Sequence, residues 1–350
     1  MLEPAAIRPA GLRPAWVAAG AVAVIVSGVA ALSIGAVTID AAGVFRELLD
    51  HVPGVRIDSG LSATEANIVW ELRTPRVVLG FLVGAMLAVA GASYQGVFRN
   101  PLADPYLLGA AAGAGLGATI AIGGHLDWEL GPFDAVPIAA FVGTLVAVFL
   151  AYAVSTVGGR DTSPAVLLLS GVAVMTFLTA MQTFLLQRQA DTIREVYTFI
   201  LGRLLTAGWT EVGVVLPYAV VSSTALLALR RRLDVLAVGD DEASSLGMDV
   251  TRTRVAIVVF ASLATAAAVS VSGLIGFVGL VVPHLVRLLA GTSFRVVLPL
   301  CALFGAAFLV VADLIARTAL SPAEIPIGVV TAFFGAPFFV LVLRARGRLV

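Results

Sequence analysis

His51, His125, His284 and the single Cys301 stand far apart, at no spacing that would close a metal site. All 22 basic residues are arginine and none is lysine, so no P-loop lysine can reach a terminal phosphate. Any ATP-driven step, with its ATP and Mg, therefore falls to another chain. Neither HExxH nor GxSxG occurs, and no pair of carboxylates is clustered at membrane depth. Asp313 is the acid that matters most. It is either a proton-relay carboxylate or the local partner of Arg317 four residues on, and the local pair is the favoured reading. Glu71 is the other acid that could serve proton coupling.

Arginine and proline mark the remaining candidates. Arg73 and Arg76 flank Pro75, and Arg317 closes a later apolar run. Guanidinium groups on a rim suit capture of carboxylates on a docking protein, or plain interfacial anchoring. Arg99-Asn100-Pro101-Leu102-Ala103-Asp104-Pro105 sets two prolines four apart, which breaks a helix and stiffens the connection. At membrane depth such a break is tolerated where it lines a cavity or is covered by protein. Gly239 to Gly247 predicts a short helix, with Asp240, Asp241 and Glu242 in its first turn and Gly247 at its C-terminal end. It suits docking into a groove of a cytoplasmic partner, a solvated loop being the alternative. Arg203, in Ile200-Leu201-Gly202-Arg203, receives no role. No basic patch is interleaved with aromatics, so nucleic acid is not an expected partner.

The elements that must position these groups are membrane helices. The 350 residues are 59% hydrophobic and 13% charged, with mean hydropathy +1.02. A soluble domain carries about 25% charged residues, so most of this chain faces lipid or other apolar helices. Spans are expected at about 15–37, 70–97, 105–124, 135–157, 163–186, 211–230, 252–271, 275–290, 296–316 and 325–344, with a coupling segment at 231–251. The uncharged run 255–286 would extend about 48 Å as one helix, and arginines flank both its ends. It is therefore read as two spans turning near Ser272–Gly276. An all-α, ten-span bundle with both termini cytoplasmic follows, with 14 arginines inside and 8 outside. Glycines four apart, at Gly80 and Gly84 and at Gly109, Gly113 and Gly117, read as packing seams.

Several blocks carry a family resemblance. Arg73-Thr74-Pro75-Arg76, Gly91-Ala92-Ser93-Tyr94-Gln95-Gly96, Asn100 to Pro105 and Leu108-Gly109 resemble the FecCD-type (BtuC-like) permeases of ABC importers for ferric siderophores, haem and vitamin B12. Gly273 to His284, Glu324 to Thr331 and Gly335-Ala336-Pro337-Phe338 are similar to the same family's later segments. The resemblance implies a multi-pass permease of the inner (plasma) membrane, paired with a second copy or a close paralogue. It also implies two ATPase subunits inside and a substrate-binding protein outside. By motif, Arg73, Arg76 and Arg317 are implied to meet the docking protein. Asn100 and Leu102 are implied to form a cytoplasmic constriction, and Thr162 and Ser163 a second gating element. Glu242, Ala243, Leu246 and Gly247 are implied to receive the ATPase stroke. Gln95, Gln182 and Thr331 are expected to dot an otherwise apolar pathway. Ferric siderophore is placed first as cargo, then cobalamin, then haem.

Overall fold

The computed structural model describes residues 11–35, 37–126, 129–130, 133–157, 164–204 and 207–346, so Thr162 and Ser163 lie outside the described residues. The chain is all-α. In order come α1 (Pro14–Ser33), α2 (Ala41–Asp50), α3 (Ala63–Asn67), α4 (Thr74–Val97), α5 (Ala110–Gly123), α6 (Ala135–Thr156) and α7 (Pro164–Arg188). They are followed by α8 (Ile193–Ile200), α9 (Trp209–Leu236), α10 (Asp240–Ser245), α11 (Val250–Ser272), α12 (Val278–Ala290), α13 (Phe294–Thr318) and α14 (Ile327–Arg346). A π-helical turn, Ile68–Arg73, joins α3 to α4. The one strand pairing among the described residues is Glu129–Leu130 with Phe133–Asp134.

Among the described residues seven helices are long and apolar enough to cross a membrane: α1, the joined stretch Ala63–Val97, α6, α7, α9, α11 and α13. Three shorter apolar helices, α5, α12 and α14, occupy the remaining positions read as spans. In hydrocarbon every backbone group must bond internally, which is why these uncharged runs adopt helix despite their many glycines and β-branched residues. Local chemistry sets several starts. Asp40 accepts from Gly43 N at 3.0 Å, Ser62 and Glu65 form a capping box, and Asp249 accepts from Arg252 N at 2.9 Å. One boundary differs from the sequence expectation. α9 continues through Arg230, Arg231 and Arg232 to Leu236 rather than ending near 230. Arginine is a good helix former, and nothing breaks the chain before Gly239.

α4 is the hub, packed against α9, α11, α12 and α13. In its most apolar stretch 78% is buried inside the chain, against 28% for α1, α7 and α9 and 33% for α6. The latter four therefore present broad apolar faces outward. The hub is tight because glycines face glycines. A Cβ on Gly91 would fall 2.2 Å from the Gly279 carbonyl oxygen, and one on Gly84 would fall 2.3 Å from that of Gly305. Gly91→Ala is expected to force α4 from α12 and to cost about 1–3 kcal/mol, read as a lower unfolding midpoint in detergent. Gly213→Ala, whose Cβ meets nothing within 4 Å, is the control and should stay within about 0.5 kcal/mol of the parent or gain slightly.

α5 and α12 have 14 and 13 residues, about 21 and 20 Å, short of a hydrocarbon core of about 30 Å. Irregular backbone makes up the difference: residues 98–109 before α5 and residues 273–277 before α12. These two breaks meet. The Tyr106 hydroxyl donates to Ile275 O at 3.1 Å and accepts from Ile275 N at 3.2 Å. That satisfies backbone polar groups that no helix ladder reaches.

Candidate functional site

On the face that the sequence reading makes external, the arginines turn inward. Arg73 Nη1 donates to Leu32 O at 2.6 Å and Ser33 O at 3.2 Å, and its Nη2 donates to Val37 O. These are carbonyls at and just beyond the C-terminus of α1, acceptors left without intrahelical donors at the negative end of a helix dipole. Arg317 donates to Ala31 O from Nη2, and its Nε lies 3.6 Å from Asp313 Oδ2. Arg76 Nη2 lies 2.8 Å from Asp313 Oδ1 and 3.0 Å from Glu324 Oε2, with Nε 3.1 Å from both Asp313 oxygens.

The three arginines expected on an outer rim are thus engaged within the chain. Arg73 is buried, and the side chains of Arg317 and Arg76 are 8% and 15% exposed. Their physical task is to fasten the outer ends of α1, α4 and α13, because unmatched carbonyls and carboxylates at a lipid boundary are costly. Glu324, 30% exposed, is the accessible edge of this cluster. Asp313 does meet Arg317 across one turn, but Arg76 from α4 is nearer. Both Asp313 oxygens are engaged by arginine, so Asp313 is a paired carboxylate rather than a lone one.

The polar residues expected to dot the pathway have partners within the chain. Gln95 is 3% exposed; its Nε2 donates to Gly279 O at 3.0 Å and its Oε1 accepts from Arg287 Nη1. Gln182 donates to Thr119 Oγ1 at 3.2 Å, and Thr331 Oγ1 donates to Gly328 O at 3.1 Å; both side chains are buried. Amides and hydroxyls in an apolar medium gain most by bonding across or along helices, as Gln95 and Gln182 do across helices and Thr331 within its own.

The face that the sequence reading makes cytoplasmic carries exposed groups. Asn100 Oδ1 accepts from Leu102 N at 2.9 Å, an Asx turn that holds Leu102 out at 52% exposure. Arg99, in the left-handed region at φ 50°, ends the hub helix and reaches α10: its Nη2 lies 3.0 Å from Asp240 Oδ1. Arg254 Nη2 of α11 lies 2.8 Å from Asp240 Oδ2. One carboxylate in the first turn of α10 therefore joins the loop after α4 to the base of α11. Asp234 ties α9 to α13 in the same way, accepting from Ser293 Oγ at 2.9 Å and Phe294 N at 2.6 Å.

Within α10 and its cap, Glu242, Leu246 and Gly247 are exposed, Leu246 at 74%, whereas Ala243 is fully buried. Ala243 packs the helix down, so contact with any partner falls to the other three. Gly247 has φ +79° and a Cβ there would meet nothing within 4 Å, so the turn alone requires glycine. Sequence reasoning missed the roles of Asp240, Arg99, Arg254 and Arg287. The available signal was position: Asp240 opens the acidic first turn of α10, and Arg99 directly precedes the Asn100 turn.

Residues 23–345 match the FecCD transport family. The chain belongs to this family. Its relatives differ in what they carry. The cobalamin import system permease of Halobacterium salinarum is 47% identical over 287 residues, covering 82% of this chain and 76% of the relative. The Fe(3+)-citrate import system permease YfmD of Bacillus subtilis is 39% identical, covering 81% and 83%. The hemin transport system permease of Yersinia pestis is 38% identical, covering 79% and 84%. A solved chain described as an inward-facing, metal-chelate type ABC transporter superposes with TM-score 0.82 at 27% identity, covering 95% of this chain and all of its own. This FecCD-family chain is an integral membrane permease with an ABC importer permease fold.

Proposed function

We propose that the chain is the conducting permease of an ATP-driven importer in the inner (plasma) membrane, moving a bulky chelate from an external binding protein to the cytoplasm. The junction at Asp240 carries the reading. A helix exposed on the inner face, with Leu246 as an apolar knob, is bonded to the loop that ends the hub helix and to α11. A stroke delivered to α10 by two ATPase subunits, which hold the ATP and Mg, would thus move the Asn100–Leu102 turn and the break that Tyr106 fastens to it.

A second permease copy or close paralogue completes the pathway. The outer arginine cluster serves docking by fixing the ends of α1, α4 and α13 where the binding protein would land. Cobalamin is the first cargo to offer, ahead of ferric siderophore and haem. The relative named for cobalamin is 47% identical, against 39% and 38% for those named for Fe(3+)-citrate and hemin. Proton coupling is disfavoured by the full engagement of Asp313.

The test is uptake into proteoliposomes holding this chain, its ATPase and its binding protein, with labelled cobalamin competed by a ferric siderophore or haem. ATP-dependent accumulation that a protonophore leaves unchanged is expected. Siderophore or haem uptake instead would change the cargo and keep the mechanism. Uptake that requires a proton gradient and ignores ATP would sink the proposal.

A further inference from the structure

Arg203 is left over by all of this, and its surroundings are specific. Its backbone N–H donates to Ser272 O at 2.9 Å, which pins the residue beside the end of α11. Its Nε is buried with no hydrogen-bond partner among the described residues, an expensive state unless a ligand supplies an acceptor. The side chain lines a cavity of about 380 Å³ whose wall also carries Asp134, Glu195 and Glu211. Glu211 spends one oxygen on Gly208 N at 2.8 Å, and its other oxygen has no such bond among the described residues.

This polar cavity does not end blindly. Pro137, Ser270 and Val271 belong both to its wall and to that of an adjoining trough of about 260 Å³ between α6, α9 and α11. Ile138, Phe141, Val215 and Tyr218 make the trough apolar. The Phe141 and Tyr218 rings meet at 5.4 Å between centroids and close it. Tyr218 lies nine residues into α9, about 14 Å along the axis, close to half of a hydrocarbon core of about 30 Å. The trough is therefore one leaflet deep. Beside it, α6 and α9 expose Val146, Phe149, Val220 and Val221, a surface suited to lipid.

We infer that the groove between α6, α9 and α11 binds one phospholipid with a zwitterionic head. Its phosphate sits on Arg203, its ammonium on Glu195 and Glu211, and an acyl chain lies along Phe141 and Tyr218. A guanidinium matches a phosphate in charge and geometry. Carboxylates around it select a head that also carries a cation, which a purely anionic lipid lacks. A soluble partner could reach the polar mouth but gains nothing from the apolar trough beneath it.

The test uses the purified full chain, stripped of lipid and titrated under native mass spectrometry with phosphatidylethanolamine, phosphatidylglycerol or soluble phosphorylethanolamine. One retained phosphatidylethanolamine per chain is expected, with weaker retention of phosphatidylglycerol and none of the soluble head. Arg203→Gln should weaken phosphatidylethanolamine by about tenfold, and Glu195→Gln should remove its preference over phosphatidylglycerol. Independently of any variant, phosphatidylethanolamine with a photoreactive group at mid-chain should label peptides containing Phe141 or Tyr218 in the unaltered protein. Labelling confined to other helices, or lipid retention unchanged in Arg203→Gln, would overturn the assignment. Retention of the soluble head as strong as that of the lipid would overturn it too.

Discussion

Arg76→Ala is expected to destabilise the folded chain by about 3–5 kcal/mol, the usual cost of removing one partner from a buried ion network. The substitution deletes the contacts to both Asp313 oxygens and the two bonds to Glu324 together, leaving Asp313, with a side chain 3% exposed, only the longer 3.6 Å approach of Arg317. Arg76→Lys keeps the charge and loses the planar fork, so it should fall between the parent and the alanine variant. The double variant Arg76→Met with Asp313→Leu should recover only part of the loss, because it removes the Arg76–Asp313 pair together but leaves Arg317 without Asp313 and Glu324 without Arg76. The measurement is the unfolding midpoint of the detergent-solubilised chain, with binding-protein docking scored at a temperature where every variant is folded. An alanine variant within about 1 kcal/mol of the parent would mean the cluster behaves as an exposed ion pair, and the account of a fastened outer end would be wrong.

Asp240→Ala is expected to separate ATP hydrolysis from transport. Both of its oxygens are committed, Oδ1 to Arg99 and Arg254 together and Oδ2 to Arg254, and its side chain is 38% exposed. Its direct contribution to stability should therefore be modest, about 1 kcal/mol or less. The larger effect is mechanical: α10 would still meet the ATPase through Glu242 and Leu246, while its hold on the loop after α4 would be gone. Substrate moved per ATP hydrolysed should fall on the order of tenfold, the scale of a coupling free energy of about 1–3 kcal/mol. Arg99→Ala should give the smaller share of the same loss. Leu246→Asp is the contrast, expected to lower ATPase binding itself. If Asp240→Ala kept the parent ratio of transport to hydrolysis, α10 would have to act through packing at Ala243 instead.

The helical class and membrane character are legible in the sequence because they depend on neighbours along the chain. A run without Asp, Glu or Arg can close all of its backbone bonds only as a helix in hydrocarbon. The short helix at α10 is equally local, its acidic first turn and its Gly247 turn being read off adjacent positions. The chemistry of individual side chains was much less legible. For Arg73, Arg76 and Arg317 only their distance from a span end can be read, not the carbonyls and carboxylates they meet. For Gln95 only its depth can be read, not the Gly279 and Arg287 groups it meets.

Those roles are decided by partners far away in sequence. Gln95 meets Gly279 across 184 positions, and Arg76 meets Asp313 and Glu324 across 237 and 248. Nothing local distinguishes a guanidinium that faces water from one that will meet two carboxylates after helices pack. By itself, then, the sequence determined that this chain is a bundle of membrane helices with an acidic helix on one face, because those properties follow from local hydropathy and backbone bonding. Only the tertiary structure decided which polar groups brace the bundle and which stay exposed. In an apolar medium a polar side chain is settled by whichever partner the packing brings within hydrogen-bond reach.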